Sequence, residues 1–481
     1  MLYDVAIIGA GATGAAAAFM LSKYQVKTVL LERAREVCAG VSKANSGIVH
    51  GGFHHPSDSL KTRLELRGNE LIEKLSSQLH FPYLKCGILV VAYSEEELEI
   101  LQKLYQRGLD NGVKDMEFCG RERIFELEPK LDDSAVGGFF VPHGGTIEPY
   151  NYVFSLVECA LKNHVDLRCE FKVTKGNFVD GAWELTAEDG RTIKAKYAVN
   201  AAGLFADEVS RALEAENFNI FPRKGEEYLL DRTCAGRPSK VIFPVPVKHS
   251  KGVLVIPTAG GTTMIGPTAE VLDDKNDTAT TRDNFIKILN LTQKMVKGLS
   301  ARDLITSFAG LRPVHDSEDF YIEQSAVQPA LIQAAGIQSP GLTASPAIGE
   351  YIVCLLKNAG LPLEEKTDFD GTLPERFEAR KVDDVKLQQL YQSDPAWTNI
   401  VCRCEEISEA EIAEAVRRGH TTVDGVKFYT RAGMGRCQGG FCSAKIFQII
   451  SKESGIPMEN LTKRGGESRI LAGKLGDLEV K

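Results

Sequence analysis

The chain has 481 residues, with 57 Lys+Arg against 65 Asp+Glu and a formal net charge of −8. Its composition, 43% apolar and 25% charged, is that of an ordinary globular protein and excludes a disordered, collagenous or coiled-coil chain as a whole. The acidic balance argues against nucleic acid, which needs a basic face, and eleven cysteines are too few for a secreted disulfide scaffold. At about 150 residues per domain the length suggests roughly three units. No basic segment precedes the apolar opening Val5-Ala6-Ile7-Ile8, and Ala15 to Leu21 is too short to span a bilayer. A cytoplasmic protein is expected, with any membrane contact made through partners.

Asp4 to Ile8 reads as a buried parallel strand that runs into Gly9-Ala10-Gly11-Ala12-Thr13-Gly14 and then a small-residue helix. A second strand, Val26 to Leu31, ends in Glu32. This is the dinucleotide-binding fingerprint in its required context. Gly9 permits the tight turn, Gly11 lets backbone approach a pyrophosphate, Gly14 lets helix and strand pack closely, and Glu32 suits a ribose hydroxyl. The helix N-terminus adds donors for the phosphates. The polar, glycine-punctuated segment from Arg33 to Gly52 suits backbone approach to a flavin ring, so FAD is expected rather than NAD. No second fingerprint follows; Thr258 to Gly266 is glycine-rich but lacks the spacing and the helix.

Two further strand-to-glycine turns are expected beside the cofactor. Lys196 to Val199 leads into Asn200-Ala201-Ala202-Gly203. Ile332 to Gly336 leads through Gly341-Leu342-Thr343 into an apolar helix from Ile348 to Leu356. Between them lie segments suited to an antiparallel sheet: Gly138 to Val141, Tyr228 to Leu230, Val253 to Ile256 and Thr263 to Gly266. The fold class expected is α/β plus α+β: a Rossmann-like FAD-binding domain interleaved with an antiparallel-sheet substrate domain, then a small helical C-terminal domain.

These motifs, with Asn45 to Gly52, Val141 to Tyr150 and Ala309-Gly310-Leu311-Arg312-Pro313, resemble the D-amino-acid oxidase/glycine oxidase superfamily of FAD oxidoreductases. Within it they most resemble FAD-dependent glycerol-3-phosphate dehydrogenases of the anaerobic A-subunit type. The resemblance covers Met1 to about Leu356. It implies a catalytic region over 1–360, with the substrate domain mainly at about 78–145 and 215–310. It also implies non-covalent FAD held by Gly9, Gly11, Thr13, Gly14, Glu32, Arg33, Asn45, Ser46, Gly47, Val173, Ala202, Gly203, Gly310, Gly336, Gly341, Leu342 and Thr343. One segment departs: Gly341 to Pro346 is closer to the L-2-hydroxyglutarate oxidases than to the Gly-Gly-Lys-Leu usual in glycerol-3-phosphate dehydrogenases.

Oxidising a secondary alcohol requires a base for the hydroxyl proton and an anchor for an anionic end. His50, in the glycine-flanked loop, is the candidate base, with His54 and His55 behind it. Arg312 is the candidate anchor, because a guanidinium fork matches phosphate or carboxylate oxygens; alternatively it braces its loop by pairing with Asp316 or Glu318. Lys224 is a weaker second anchor.

After Leu356 the composition shifts. Residues 361–398 read as a linker, 399–455 as a small domain and 456–481 as a tail. Cys402 and Cys404 form a Cys-x-Cys pair, Cys437 and Cys442 a Cys-x4-Cys pair, and Ser408 with Glu411 offers a capping box. Four such thiolates suit a [2Fe-2S] cluster or zinc; the Cys-x-Cys spacing and the crowded glycines favour the cluster. Lys427, Arg431 and Arg436 are expected to offset thiolate charge. The segment resembles bacterioferritin-associated-ferredoxin-like [2Fe-2S] domains. The other seven cysteines are expected to be thiols.

The leading expectation is a dehydrogenase converting sn-glycerol 3-phosphate to dihydroxyacetone phosphate, with electrons passed through the cluster to a partner subunit or quinone. The alternatives are oxidation of a 2-hydroxy acid or amino acid, and a non-catalytic flavin/iron–sulfur electron-transfer subunit.

Overall fold

The structure, a computed structural model, describes residues 1–246 and 252–473. The chain divides into two compact units, Met1–Arg33 with Cys38–Leu373, and Ala34–Val37 with Pro374 onward.

The first unit contains two large sheets. In one, five strands run parallel in the order Asp166–Arg168, β2 (Thr28–Leu31), β1 (Leu2–Ile8), Thr192–Asn200 and Leu331–Ala335. Of these, β2 and Leu331–Ala335 are short and largely apolar because they are buried on both faces. The helix α1 (Ala12–Leu21) packs on Pro149–Lys162 and on Gly341–Asn358. A Cβ at Gly349 would stand 2.7 Å from the Ala16 carbonyl, so glycine sets this close helix approach. The helix Gly341–Asn358 begins seven residues before the expected Ile348 and contains Pro346. At position 6 of that helix the missing proline N–H is of little cost, since it lies near the first turn, whose N–H groups have no helical partner.

The second sheet has nine strands. Its long edge pair is Ile220–Leu230 against Leu304–His315, antiparallel, with Arg223 opposite Arg312 and Gly225 opposite Gly310. Ile88–Ala92 alternates between two buried clusters, Leu89 and Val91 facing one, Ile88 and Val90 the other. The sheet runs on to His315, five residues past the expected boundary at 310. The antiparallel strands expected from the sequence are all present. The second of them begins at Ile220 rather than Tyr228.

The stretch expected as a linker over 361–398 is divided between the units. Residues 361–373 belong to the first. Backbone bonds join Gln25 to Glu364 and Lys366 to Lys23, and the Asp370 carbonyl accepts from Asn163. Leu361 and Leu373 are its buried apolar side chains. Packing through main-chain bonds rather than an apolar stripe leaves little hydropathy signal. Further on, Asp383 caps a helix over Asp384–Ser393.

In the second unit a short antiparallel pair, Ile400–Cys402 with Ile407–Ser408, precedes helices Glu409–Arg417, Val423–Thr430 and Ser443–Ser454. The expected capping box of Ser408 and Glu411 is formed. Glu36 belongs to this unit and accepts the Thr422 N–H (3.0 Å) and hydroxyl (2.7 Å). Among the described residues no helix is long and apolar enough to cross a membrane.

Candidate active site and cysteine cluster

β1 ends at Gly9, whose φ of +108° only glycine adopts readily, and whose Cβ would stand 2.4 Å from the Ala201 carbonyl. A Cβ at Gly14 would fall 1.8 Å from the Gly9 carbonyl, so α1 starts directly against the strand end. One carboxylate oxygen of Glu32 accepts the Ala10 N–H (2.9 Å), which fixes the turn. The Ala12 N–H at the start of α1 donates to the Ser42 hydroxyl (2.9 Å). The helix N-terminus is thus directed at an oxygen, as an anion site requires.

The loop after β2 is held by its own side chains, by a small three-stranded sheet and by the nine-stranded sheet. Asn45 Oδ1 accepts the Gly47 N–H (2.8 Å), and Ile48–Val49 pairs with Gly145–Ile147. A Cβ at Gly310 would lie 1.9 Å from the Ala44 carbonyl, so the strand Leu304–His315 presses backbone to backbone on this loop. Two motifs that are 260 residues apart in the sequence, around Asn45 and Gly310, meet here.

They enclose a cavity of about 900 Å³, at the large end for a small-molecule site. Of the expected residues it is lined by Gly11, Thr13, Asn45, Ser46, Gly47, His50, Gly203, Gly310, Arg312, Gly341 and Leu342. The rest lie off its wall. Gly9, Gly14 and Glu32 build the turn behind it, and Arg33 stacks on the Phe205 ring at 3.9 Å. Val173 sits in the core with Tyr3 and Trp183. Ala202 follows the lining residue Ala201, and Gly336 turns against His315. Thr343 is a clamp: its hydroxyl accepts the His50 N–H (2.9 Å) and donates to the Ile48 carbonyl (3.1 Å).

His50 is buried, with its carbonyl accepting from Asn69 Nδ2 (2.7 Å) and its Nε2 3.3 Å from the Ser339 hydroxyl. Arg312 donates to the Thr268 carbonyl (3.1 Å) and lies across Gly225, where a Cβ would meet its Nη2 at 2.4 Å. It does not brace its loop through Asp316 or Glu318; the arginine paired with Glu318 is Arg223 (2.7 Å). Lys224 points away from the cavity and pairs with Asp277 (3.0 Å). His54 and His55 both line the wall.

Sequence reasoning missed Arg223 and Glu227. Residues 223, 225 and 227 line the cavity together, as alternate positions on one strand face must. Lys224 lies on the opposite strand face, and because residues 224–228 are buried on both faces their pattern does not mark which face looks into the cavity. Glu227 accepts the Ser46 hydroxyl (2.8 Å). Burial pushes its carboxyl up to about 7, against the opposing pull of the Ser46 hydroxyl and the Arg312 charge. Burial likewise lowers Arg312, while Glu227 favours its charged form. Among the described lining residues, five carry lysine or arginine charges (Lys61, Lys103, Arg107, Arg223, Arg312) and two are acids (Glu227, Glu318). A net acidic protein thus surrounds a positive cavity.

In the second unit the four expected cysteines come together as two couples. Cys402 adjoins Cys442, and Cys404 adjoins Cys437. Among the described residues no three or more His, Cys, Asp or Glu side chains are grouped to hold a single ion. Cys402 accepts the Gly433 N–H (3.5 Å), and Cys437 accepts N–H groups of Phe441 and Gly439. The Cys402 thiol is pulled down to about 6, chiefly by the hydrogen bond from Cys442 and then by those from the Gly433 and Glu405 backbone. Thiolates held in couples by backbone donors fit a two-iron cluster. Arg431, expected to offset thiolate charge, is instead paired with buried Glu405 (2.8 Å). None of the eleven cysteines, all of them among the described residues, is in a disulfide.

A glycine-turn nucleotide fold with a capping sheet over a positive cavity, followed by a four-cysteine unit, defines a flavin- and iron–sulfur-containing oxidoreductase. The FAD dependent oxidoreductase family model matches residues 4–355, and the BFD-like [2Fe-2S] binding domain matches residues 400–452. The chain belongs to the FAD dependent oxidoreductase family, with FAD and a [2Fe-2S] cluster as its cofactors. It is 38% identical over 98% of both chains to glycerol 3-phosphate dehydrogenase of Caloramator mitchellensis. It is 32% identical to glycerol 3-phosphate oxidase of Mycoplasma pneumoniae, over 76% of this chain and 97% of that one. The solved FAD-bound L-alpha-glycerophosphate oxidase from the same organism superposes with a TM-score of 0.75 at 31% identity, covering 78% of this chain and all of the other.

Two predictions follow from these geometries. A carboxyl raised by burial binds its proton more tightly folded than unfolded. Stability from Glu227 is therefore fully present below its ordinary range and is lost as pH rises towards about 7. Thermal melts of Glu227→Gln should lose less stability than wild type between pH 5 and 8, by at most about 3 kcal/mol; parallel curves would exclude the shift. For the cysteines, Cys437→Ser should remove iron and acid-labile sulfide while the flavin absorbance stays. An unchanged iron content would remove Cys437 as a ligand.

Proposed function

We propose that the protein is a dehydrogenase that oxidises sn-glycerol 3-phosphate to dihydroxyacetone phosphate. The observation that carries this reading is the buried Arg312, offered to a positively lined cavity that also contains His50. The full-length relative from Caloramator supports the same substrate.

Oxidation removes a proton from the C2 hydroxyl and a hydride from C2. FAD, when bound, supplies the acceptor for the hydride. Arg312 holds the anionic end of the substrate, where its fixed planar fork suits phosphate oxygens. His50 takes the hydroxyl proton. Its ring is positioned by Thr343 and Asn69 acting on its backbone, and its Nε2 lies beside the Ser339 hydroxyl, which can pass that proton on. The net positive lining attracts a dianionic substrate and stabilises it once water is excluded.

Electrons leave through the four-cysteine unit to a partner subunit or quinone, so that a cytoplasmic protein would work at a membrane face through its partner. An oxidase handing electrons to oxygen has no need of this unit. The Mycoplasma oxidase has no counterpart for about a quarter of this chain. A second reading, oxidation of a 2-hydroxy acid, is favoured by the segment Gly341 to Pro346 and by L-2-hydroxyglutarate dehydrogenase of Arabidopsis thaliana, 27% identical over 73% of this chain.

Anaerobic bleaching of the flavin decides between them. Glycerol 3-phosphate should bleach the holoenzyme, whereas 2-hydroxyglutarate, lactate, sarcosine and D-amino acids should not; the reverse pattern overturns the reading. Arg312→Ala should raise KM roughly tenfold to a hundredfold with the flavin still bound, as expected for loss of a charged hydrogen bond. His50→Asn should slow flavin reduction by about a hundredfold or more, and an unchanged rate would remove it as the base.

A further inference from the structure

Glu226 and Glu227 are adjacent and both buried, yet they are used differently. Glu226 is saturated: it accepts from the Tyr228 hydroxyl (2.6 Å), the Thr281 N–H (2.8 Å) and Asn284 Nδ2 (2.7 Å), and so braces the sheet. Glu227 is 3% exposed and lines the cavity. Its Oε1 accepts the Ser46 hydroxyl, whereas its Oε2 is buried with no hydrogen-bond partner. A buried carboxyl oxygen without a partner is destabilising, and a ligand that completes the bond relieves the cost.

We infer that Glu227 is a specificity-determining residue whose free Oε2 binds the non-reacting terminal hydroxyl of a polyol phosphate. This rests on the proposed glycerol 3-phosphate reading and extends it to the other end of the substrate. A substrate with an anion at one end, a reacting alcohol in the middle and a neutral hydroxyl at the other end suits the set Arg312, His50 and Glu227. The chemistry at Oε2 distinguishes the two substrate classes. A hydroxyl both donates and accepts, so it pairs with a carboxyl in either protonation state. A substrate carboxylate only accepts, so it finds a donor at Oε2 only while Glu227 is protonated and meets a second negative charge once Glu227 ionises. Ser46 fills Oε1, and Oε2 is the oxygen that the protein leaves without a partner. Discrimination of this kind is steep, because a site built around a hydroxyl is left unpaired by an analogue that lacks it.

The test compares glycerol 3-phosphate with propane-1,2-diol 1-phosphate, which lacks only the terminal hydroxyl, by kcat/KM for flavin reduction in the holoenzyme. Wild type should prefer glycerol 3-phosphate by about a hundredfold or more. Glu227→Met keeps the volume and removes both oxygens, and should reduce that preference to within a few-fold. Glu227→Gln retains an acceptor and should keep most of it, which serves as the check on folding. An equal preference in wild type and Glu227→Met, with both substrates weakened alike, would overturn the inference and leave the glycerol 3-phosphate reading standing. No bleaching by either phosphate would overturn that reading and the inference with it.

Discussion

The site depends on one backbone contact, where Gly310 rests on the Ala44 carbonyl with no room for a Cβ. This is the point at which the strand Leu304–His315 of the capping sheet meets the loop of the nucleotide-binding sheet. A side chain at 310 would lift the sheet off the loop and open the cavity to solvent. With the contact made, period-two geometry places Arg312 on the same face as Gly310, and antiparallel register sets Gly225 opposite. Gly225 in turn leaves space for the guanidinium to lie flat across the neighbouring strand. The Ser46–Glu227 hydrogen bond then ties loop and sheet a second time. Two glycines facing one another across a ladder are thus what allow a buried arginine between them.

Burying Arg312 and Glu227 together is not a route to stability. Desolvation of both groups offsets their attraction, and exchanging such a pair for apolar side chains is often neutral or stabilising. The arrangement is better understood through what it leaves incomplete. Arg312 has one backbone acceptor, Thr268, for a five-donor group, and Glu227 has one oxygen in use. Elsewhere in the same strand, Glu226 and Lys224 meet their partners within the protein. Within Ile220–Leu230, the buried side-chain oxygen without a partner is on the face that lines the cavity.

How much of this was legible in the sequence follows from the range of each interaction. Gly9, Gly11, Gly14 and Glu32 act within one strand–turn–helix unit, so their spacing alone carried the reading. Ser408 and Glu411 form a capping box over three residues for the same reason. Arg312 was legible as an anchor from its Gly-Leu-Arg-Pro setting, but its partners were not. Thr268 and Glu227 reach it only through the pairing of strands some eighty residues apart, and register cannot be read from either strand alone. Arg223 is not legible because a local pattern does not tell which face of a doubly buried strand looks into a cavity. Residues 361–373 read as linker in the sequence because they are held mainly by main-chain hydrogen bonds, which hydropathy does not record.

The cysteine unit shows the same limit in its electrostatics. From sequence, any arginine near four thiolates looks like their counter-charge. In the fold Arg431 adopts a left-handed conformation at a helix end, and its guanidinium is committed to the buried Glu405, with Arg380 3.5 Å from the same carboxylate. The thiolates are also stabilised by N–H groups of Gly433, Glu405, Gly439 and Phe441. Such donors are fixed by the backbone and hold their orientation whatever the charge on the sulfurs. For a centre that must change oxidation state without rearranging, dipoles built into glycine turns are the more suitable environment, because side-chain cations would move with each electron. The glycines crowded around Cys437 therefore serve the sulfurs as well as the turns.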